Sequence, residues 1–158
     1  YKKYRRKDVL RLLNMNFNQN EQSIGGYTNS NNHFAIFVTL DKGKDFKAAR
    51  IAYEDEFIDE RTFHWYTKAP RNLRSPEVQL LRNPGEYKFH LFVKRKYNQK
   101  ENETDFYYLG EVVPLQETIQ QVEKQDKEGK KKSVVKLDFT LETPVEPNMY
   151  EFLAQNTN

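Results

Sequence analysis

Carboxylates and aromatic rings alternate between residues 51 and 68 (IAYEDEFIDERTFHWYTK). Asp55, Glu56, Asp59 and Glu60 form an acidic cluster whose oxygens could hold a cation or exchange protons. The same cluster could be a solvated turn. A third interpretation is a site for a flat base, because the exocyclic amine of cytosine donates a hydrogen bond that a carboxylate accepts.

Other reaction chemistry has little support in the sequence. There is no phosphate-binding loop, no nucleophile elbow, no His-Glu-x-x-His motif and no Cys. His33, His64 and His90 fall on predicted strands, or at the start of one, where packed or surface roles are expected. We therefore expect no catalytic residue, no metal site and no cofactor, and we interpret the chain as a binding module and not an enzyme.

Basic residues are concentrated at the start of the chain. The net charge is +3, but the first 50 residues hold ten Lys and Arg against four Asp and Glu. The residues predicted to contact nucleic-acid phosphates flank the acidic and aromatic residues 53–65: Lys42, Lys44, Lys47 and Arg50 before them, and Lys68, Arg71 and Arg74 after them. Lys94 to Lys96 and Lys130 to Lys132 are weaker candidates, since such clusters can also be solvated faces.

Periodicity and turn residues predict the elements that position these side chains. The predicted strands are His33–Leu40, Arg50–Phe57, Arg61–Lys68, Tyr87–Arg95, Asp105–Val113 and Ser133–Glu142. The predicted helices are Asp8–Leu13, Ser75–Arg82, with Ser75 as its N-cap, and Pro147–Gln155. A turn at Ile58–Glu60 joins the second and third strands, and Tyr87–Arg95 alternates apolar and polar residues, which predicts one buried face. We expect a loop over Asn14–Asn32, a basic turn over Asp41–Ala49, and a helix or hairpin tip over Glu117–Lys132.

The order of these elements predicts the fold class. Strands without a regular strand-helix alternation exclude a doubly wound parallel sheet. They favour an α+β, mainly β fold: a small, curved antiparallel β-barrel with short flanking helices. His33–Leu40 is apolar on both alternations and predicts a central strand buried on both faces.

Length and composition set the wider expectations. The 158 residues contain no repeat, which predicts one domain over residues 1–158. The chain has no apolar run of membrane-spanning length and no Cys, so we expect a cytoplasmic protein with no membrane partner. Because it lacks an initiator Met, we also expect it to be a fragment of a longer polypeptide.

Nearly the whole chain resembles the C-terminal domain of certain bacterial superfamily-2 helicases. The resemblance is carried by Tyr4–Leu10, Ile36–Leu40, Leu91–Lys94 and Phe106–Gly110, and above all by Tyr53, Asp55, Phe63, His64 and Trp65. Such domains occur in type IV restriction enzymes of the SauUSI kind, used in phage defence. The resemblance implies a target-recognition domain for methylated cytosine, with an ATP-driven helicase and a nuclease in the same polypeptide.

The acidic-aromatic segment is also similar to the base pocket of SET- and RING-associated (SRA) domains, whose fold is PUA-like. Those domains flip 5-methylcytosine out of duplex DNA between two aromatic rings, twelve positions apart, with an acid at the edge of the base. Tyr53 and Trp65 have that separation. The similarity implies a pocket of Tyr53, Trp65 and Asp55 or Glu56. Strand alternation places Phe63 on the same face as Trp65, packed beneath it, and His64 and Tyr66 on the opposite face.

Asp55 is favoured as the base-reading acid, because strand alternation places it on the same face as Tyr53, whereas Glu56 would point the other way. A bulge would reverse the choice. The expected partner is double-stranded DNA carrying 5-methylcytosine, with 5-hydroxymethylcytosine tolerated. The main alternative is a docking domain of a superfamily-2 helicase without its own DNA specificity, and a third is a binder of RNA or a nucleotide. For Tyr53 and Trp65 themselves, ordinary core packing is the competing interpretation.

Overall fold

The computed structural model of the chain describes residues 1–12, 26–41, 55–96, 105–126 and 128–154. The helices in these ranges are α1 (Arg6–Leu12), α2 (Pro76–Arg82) and α3 (Pro147–Ala154). The strands are β1 (Lys3–Tyr4), β2 (Tyr27–Ser30), β3 (His33–Asp41), β4 (Glu56–Asp59), β5 (Thr62–Tyr66), β6 (Lys88–Lys96), β7 (Phe106–Pro114), β8 (Gln120–Gln125) and β9 (Lys131–Leu141), with a 3-10 turn at Gln116–Thr118. None of the described helices has the length and apolar character needed to cross a bilayer.

The described strands form one sheet. Along its main path β2, β3, β6, β7, β9, β5 and β4 follow one another, while β1 pairs with β7 and β8 with β9. The mainly β prediction is confirmed. Closure into a barrel is not, because β2 and β4 lie at opposite ends of an open path through the described strands.

One strand pair departs from the predicted antiparallel arrangement. β3 and β6 run parallel, with Ile36 opposite Leu91, whereas the other pairs of described strands are antiparallel. A parallel pair needs a long crossover connection, and here β4, β5 and α2 lie between the two strands in the chain. The unbroken apolar run of β3 is typical of such a strand.

β3 and β6 are buried on both faces. Phe34, Ile36 and Val38 point into the main core, together with Leu91 and Phe139 from neighbouring strands. The opposite faces of the two strands form a second, smaller core with α1, built from Val9, Leu10, Ala35, Phe37, Phe92 and Phe106. The two-sided burial predicted for β3 is confirmed, whereas one-sided burial of β6 is wrong, since His90 and Phe92 are buried as well.

Three other segments differ from the sequence predictions. Part of the expected loop 14–32 forms β2, which pairs with β3, and residues 13–25 lie outside the described ranges. Of the helix and the hairpin tip expected over 117–132, the hairpin is confirmed and the helix is wrong, because β8 pairs antiparallel with β9. β4 begins at Glu56 and continues to Asp59, so it includes part of the expected turn at 58–60.

α2 holds an acidic side chain against the sheet. Pro76 suits the first helical position because its fixed φ is helical and its missing N–H has no partner there. Ser75 was predicted to cap the helix, but its hydroxyl accepts a hydrogen bond from the backbone N–H of Asn72 at 3.0 Å. The helix places Glu77 where its Oε2 accepts hydrogen bonds from Arg71 at 2.9 Å and from the Tyr27 hydroxyl at 3.2 Å.

Candidate nucleic-acid interface

The residues predicted to form a base pocket fall on the β4–β5 hairpin and on the chain before it. Tyr53 lies outside the described residues, as do Lys42, Lys44, Lys47 and Arg50. Asp55 immediately precedes β4, and Glu56 is its first residue. Phe63 and Trp65 lie on β5.

Phe63 and Trp65 are core residues. Their side chains are 0% and 2% exposed, respectively. The indole of Trp65 packs against Tyr27 and Phe139, with ring centroids 5.3 and 5.6 Å away. Neither residue offers an open ring face to a nucleobase in this conformation, so their predicted place in the pocket is corrected. Strand alternation correctly put them on one face, but that face is directed into the core.

The two candidate acids have different surroundings. Oδ1 of Asp55 accepts a hydrogen bond from the backbone N–H of Tyr66 at 2.9 Å, which ties the start of β4 to the end of β5. Glu56 is exposed and lies opposite His64 in the strand pairing. The carboxylate of Asp55 is therefore engaged in the hairpin, whereas that of Glu56 is directed to solvent.

A row of polar side chains occupies the other face of β5. Nδ1 of His64 lies 2.5 Å from Oδ1 of Asp138 on β9, and its Nε2 lies 3.1 Å from the hydroxyl of Tyr66. With Nδ1 protonated, His64 donates to Asp138 and accepts from Tyr66.

Sequence reasoning placed His64 and Tyr66 on the face opposite Trp65 but did not find Asp138. The two partners of this contact are 74 positions apart in the chain. They meet because β5 pairs with β9 with His64 opposite Asp138. Asp138 is held in place in turn, since its backbone N–H donates to the hydroxyl of Thr118 at 2.8 Å.

The described basic candidates are not equivalent. Arg71 forms an ion pair with Glu77 at 2.9 Å, and the pKa of its guanidinium is raised, mainly by this hydrogen bond. Nζ of Lys68 lies 5.4 Å from the ring centroid of Tyr27. Arg74 is exposed on the segment before α2. Of these three, Arg71 has a structural partner, while Lys68 and Arg74 present charge to solvent.

Tyr27 links this basic segment to the core. Burial, followed by the neighbouring charge of Glu77, raises the pKa of Tyr27 to about 12. Its ring stacks on Phe34 with centroids 5.7 Å apart and meets Trp65 edge-on. In the ranges that the structure describes, no group of three or more His, Asp or Glu side chains is arranged to hold a metal ion.

Comparison with known proteins bears on family and fold. A family model described as "Domain of unknown function (DUF3427)" matches residues 1–153. The fold is similar to that of a DNA modification-dependent restriction endonuclease, AspBHI, with a TM-score of 0.51 and 18% identity, over 85% of this chain and 70% of that one. No curated protein matches the sequence.

A second solved structure is more distant. It is a crystal structure of KRYPTONITE in complex with mCHG DNA and SAH, with a TM-score of 0.34 and 14% identity, over 80% of this chain and 26% of that one. The similarity in fold is therefore taken from the AspBHI structure. The sequence resemblance to a restriction-enzyme domain is thereby confirmed at the level of fold, and the family model matches nearly the whole chain.

Proposed function

The chain belongs to the DUF3427 family, and we propose that it is a DNA-reading module that recognises modified cytosine in duplex DNA. The observation that carries the proposal is the fold shared with a DNA modification-dependent restriction endonuclease over 85% of the chain. The module itself does no chemistry. It directs a larger cytoplasmic enzyme to its target.

The modification that we propose is 5-methylcytosine, with 5-hydroxymethylcytosine tolerated, read after the base is flipped out of the duplex. The parent enzyme is an ATP-dependent type IV restriction endonuclease of phage defence, with helicase and nuclease domains in the same polypeptide. Extruding a base costs a few kcal/mol, which stacking and hydrogen bonding to the extruded base must offset.

The hairpin suggests how cytosine is selected. Glu56 is exposed, whereas one oxygen of Asp55 is bound to the backbone of Tyr66. We therefore assign the acceptor for the exocyclic amine to Glu56 and a hairpin-bracing role to Asp55. Tyr53 remains the proposed stacking ring, while Phe63 and Trp65 support β5 from inside the core.

The preference for a methylated base should be moderate. A single buried methyl group contributes about 1 kcal/mol, and selection for one carbon rarely exceeds roughly a hundredfold. Affinity itself comes mainly from phosphate contacts, and we propose Lys68 and Arg74, with Lys42, Lys44, Lys47 and Arg50, as their source. Arg71, also expected there, is held by Glu77.

Two matched duplexes test the proposal, one with a single central 5-methylcytosine and one with cytosine at that position. A reader of modified DNA binds the first more tightly at moderate salt. A docking domain without DNA specificity binds neither duplex, or both equally, and that result would overturn the proposal. A single-stranded competitor tests duplex recognition. It should displace the duplex from the chain if the chain is an RNA or nucleotide binder, and it should not do so if the chain recognises duplex DNA.

A further inference from the structure

A cavity of about 130 Å³ lies between α1 and the sheet face that carries the second core. It is lined by Tyr4, Val9, Leu12, His90, Phe92 and Tyr108. Leu12 is 67% exposed at the end of α1, so the cavity reaches the surface there. It is separate from the β4–β5 hairpin.

Flat rings form much of the cavity wall. Phe92 and Tyr108 are stacked with centroids 4.8 Å apart at an interplanar angle of 30°. Tyr4 stands edge-on to both, 6.3 Å from each centroid. Phe92 also stacks on Phe37, with centroids 5.1 Å apart, so a guest ring would meet Phe92 edge-on, an arrangement that aromatic pairs favour.

The volume limits the guest to a single ring. A buried apolar cavity of about 150 Å³ in another protein is known to hold benzene. A six-membered ring is therefore close to the largest group that fits wholly within 130 Å³, and a fused purine would project through the mouth at Leu12.

The cavity also has polar groups. The hydroxyl of Tyr108 lies 2.8 Å from Nδ1 of His90, whose Nε2 lies 3.0 Å from Nδ1 of His33. Burial, followed by the charge of His33, lowers the pKa of His90 to about 4, so this imidazole is neutral at pH 7. A neutral imidazole can donate to the Tyr108 hydroxyl or accept from it. Tyr108 can thus offer a guest either a donor or an acceptor.

The charge beside the cavity indicates which kind of molecule carries the bound ring. Residues 2–11 hold six Lys and Arg and one Asp, and we call them the basic segment. The side chains of Lys2, Lys3, Arg5, Lys7 and Arg11 are exposed. β1 fixes the segment beside the cavity, since Lys3 pairs with Tyr107 and Tyr4 with Phe106. Phosphates are the anions that such a cluster attracts.

We propose that this cavity binds the pyrimidine ring of a nucleotide whose phosphate lies on the basic segment. The inference goes beyond the proposed function, whose base-reading residues lie at the β4–β5 hairpin, and rests on it for the choice of nucleic acid as the occupant. A pyrimidine fits the volume better than a purine, the aromatic walls contact the ring, and the Tyr108 hydroxyl contacts its polar edge.

Methyl NMR of the 158-residue chain tests the site with deoxycytidine monophosphate as the probe. Bound rings shift nearby methyl resonances, so the Val9 and Leu12 methyl signals should move in a saturable way. Those of Val78, in α2, and Val113, exposed on β7, should stay in place as internal controls. Deoxyadenosine monophosphate at the same concentration should shift the Val9 and Leu12 signals less, because a purine fits only partly inside. Equal shifts with both nucleotides, or none with either, would overturn the proposal.

Two variants locate the ring. Leu12→Trp enlarges an exposed side chain at the mouth, so it should block the shift of the Val9 methyls without affecting folding. Tyr108→Phe keeps the ring but removes the hydroxyl, and should weaken nucleotide binding about three- to tenfold. Unchanged binding in Leu12→Trp would show that the nucleotide binds elsewhere.

The outcomes separate this inference from the proposed function. If the chain prefers the methylated duplex but the Val9 and Leu12 methyls do not respond to the pyrimidine nucleotide, the cavity assignment fails and the DNA-reading proposal stands. If those methyls respond while the two duplexes bind equally, the ring site stands and the modified-cytosine proposal fails.

Discussion

The carboxylate of Asp55 accepts a hydrogen bond from the backbone N–H of Tyr66 at 2.9 Å. This contact joins the two strands of the β4–β5 hairpin just beyond the pairing of Glu56 with His64. Neighbouring acids in the sequence thus have separate roles, one bracing the hairpin and the other facing solvent.

Asp55→Ala should destabilise the fold by about 1–3 kcal/mol, because it leaves the N–H of Tyr66 without that charged acceptor. The matched control is Glu56→Ala, which should change stability by less than about 0.5 kcal/mol, as is usual for exposed side chains. Urea unfolding measures both. Equal losses in the two variants would contradict the division of roles.

Trp65 should emit at short wavelength and be poorly quenched by acrylamide, because its side chain is 2% exposed. It is the only tryptophan in the chain, so emission reports on this residue alone. Adding a methylated duplex should cause little quenching, since DNA has no access to the indole. Strong quenching by the methylated duplex, without quenching by the unmethylated one, would show that Trp65 is part of the base pocket after all.

Arg74→Ala should weaken binding to methylated and unmethylated duplexes by the same factor and reduce the slope of log K against log salt by about 0.9, as expected for one lost phosphate contact. Arg71→Ala should instead lower stability, because Arg71 is paired with Glu77 beside Tyr27. Salt titrations and urea unfolding of both variants separate the two effects. An unchanged salt slope in Arg74→Ala would show that Arg74 makes no phosphate contact.

His90 should make the fold sensitive to acid. Its imidazole takes up a proton near 6.5 in the unfolded chain but only near 4 in the folded one, where burial opposes the charge. The stability that the folded chain gains from keeping His90 neutral is fully present above pH 6.5 and is lost as the pH falls toward 4. We expect this loss to lower the free energy of unfolding by about 2 kcal/mol, after allowing for solvent screening.

The control for this pH effect is His90→Gln, which removes the titrating group but keeps a polar side chain. Stability measured by urea unfolding from pH 7 to 4.5 should decline more steeply in the wild type than in the variant, since the carboxylates are common to both. Parallel curves would show that His90 takes up its proton equally well in the folded chain.

The sequence predicted local elements better than their arrangement. The bounds of β3 and β6 and the ranges of α2 and α3 follow closely from apolar periodicity and from Pro and Gly positions. The parallel pairing of β3 with β6 does not, because which strands become neighbours depends on long-range packing. The apolar run of β3 signals burial on both faces without identifying its partner.

The candidate site shows the same division. Alternation correctly placed Phe63 and Trp65 on one face of β5 and His64 and Tyr66 on the other. It could not show which face meets the core, since both carry aromatic rings. The contact of His64 with Asp138 depends on the register between β5 and β9, and no local pattern encodes that register.

The cavity was hidden from sequence reasoning for a similar reason. Its lining comes from β1, α1, β6 and β7, and becomes contiguous only when α1 packs on the sheet. The basic segment beside it was visible as charge. Without the position of α1, that charge could not be assigned to a ring-sized cavity.

The most direct test of the central claim is the ratio of two dissociation constants, for a duplex with one central 5-methylcytosine and for its unmodified twin. Fluorescence anisotropy at two salt concentrations gives both values. We expect each affinity to fall with salt while the ratio stays at roughly five- to a hundredfold in favour of the methylated duplex. Glu56→Gln should bring the ratio toward one, with Glu60→Gln as the matched control. Equal binding of the two duplexes by the wild type at both salt concentrations would contradict the account.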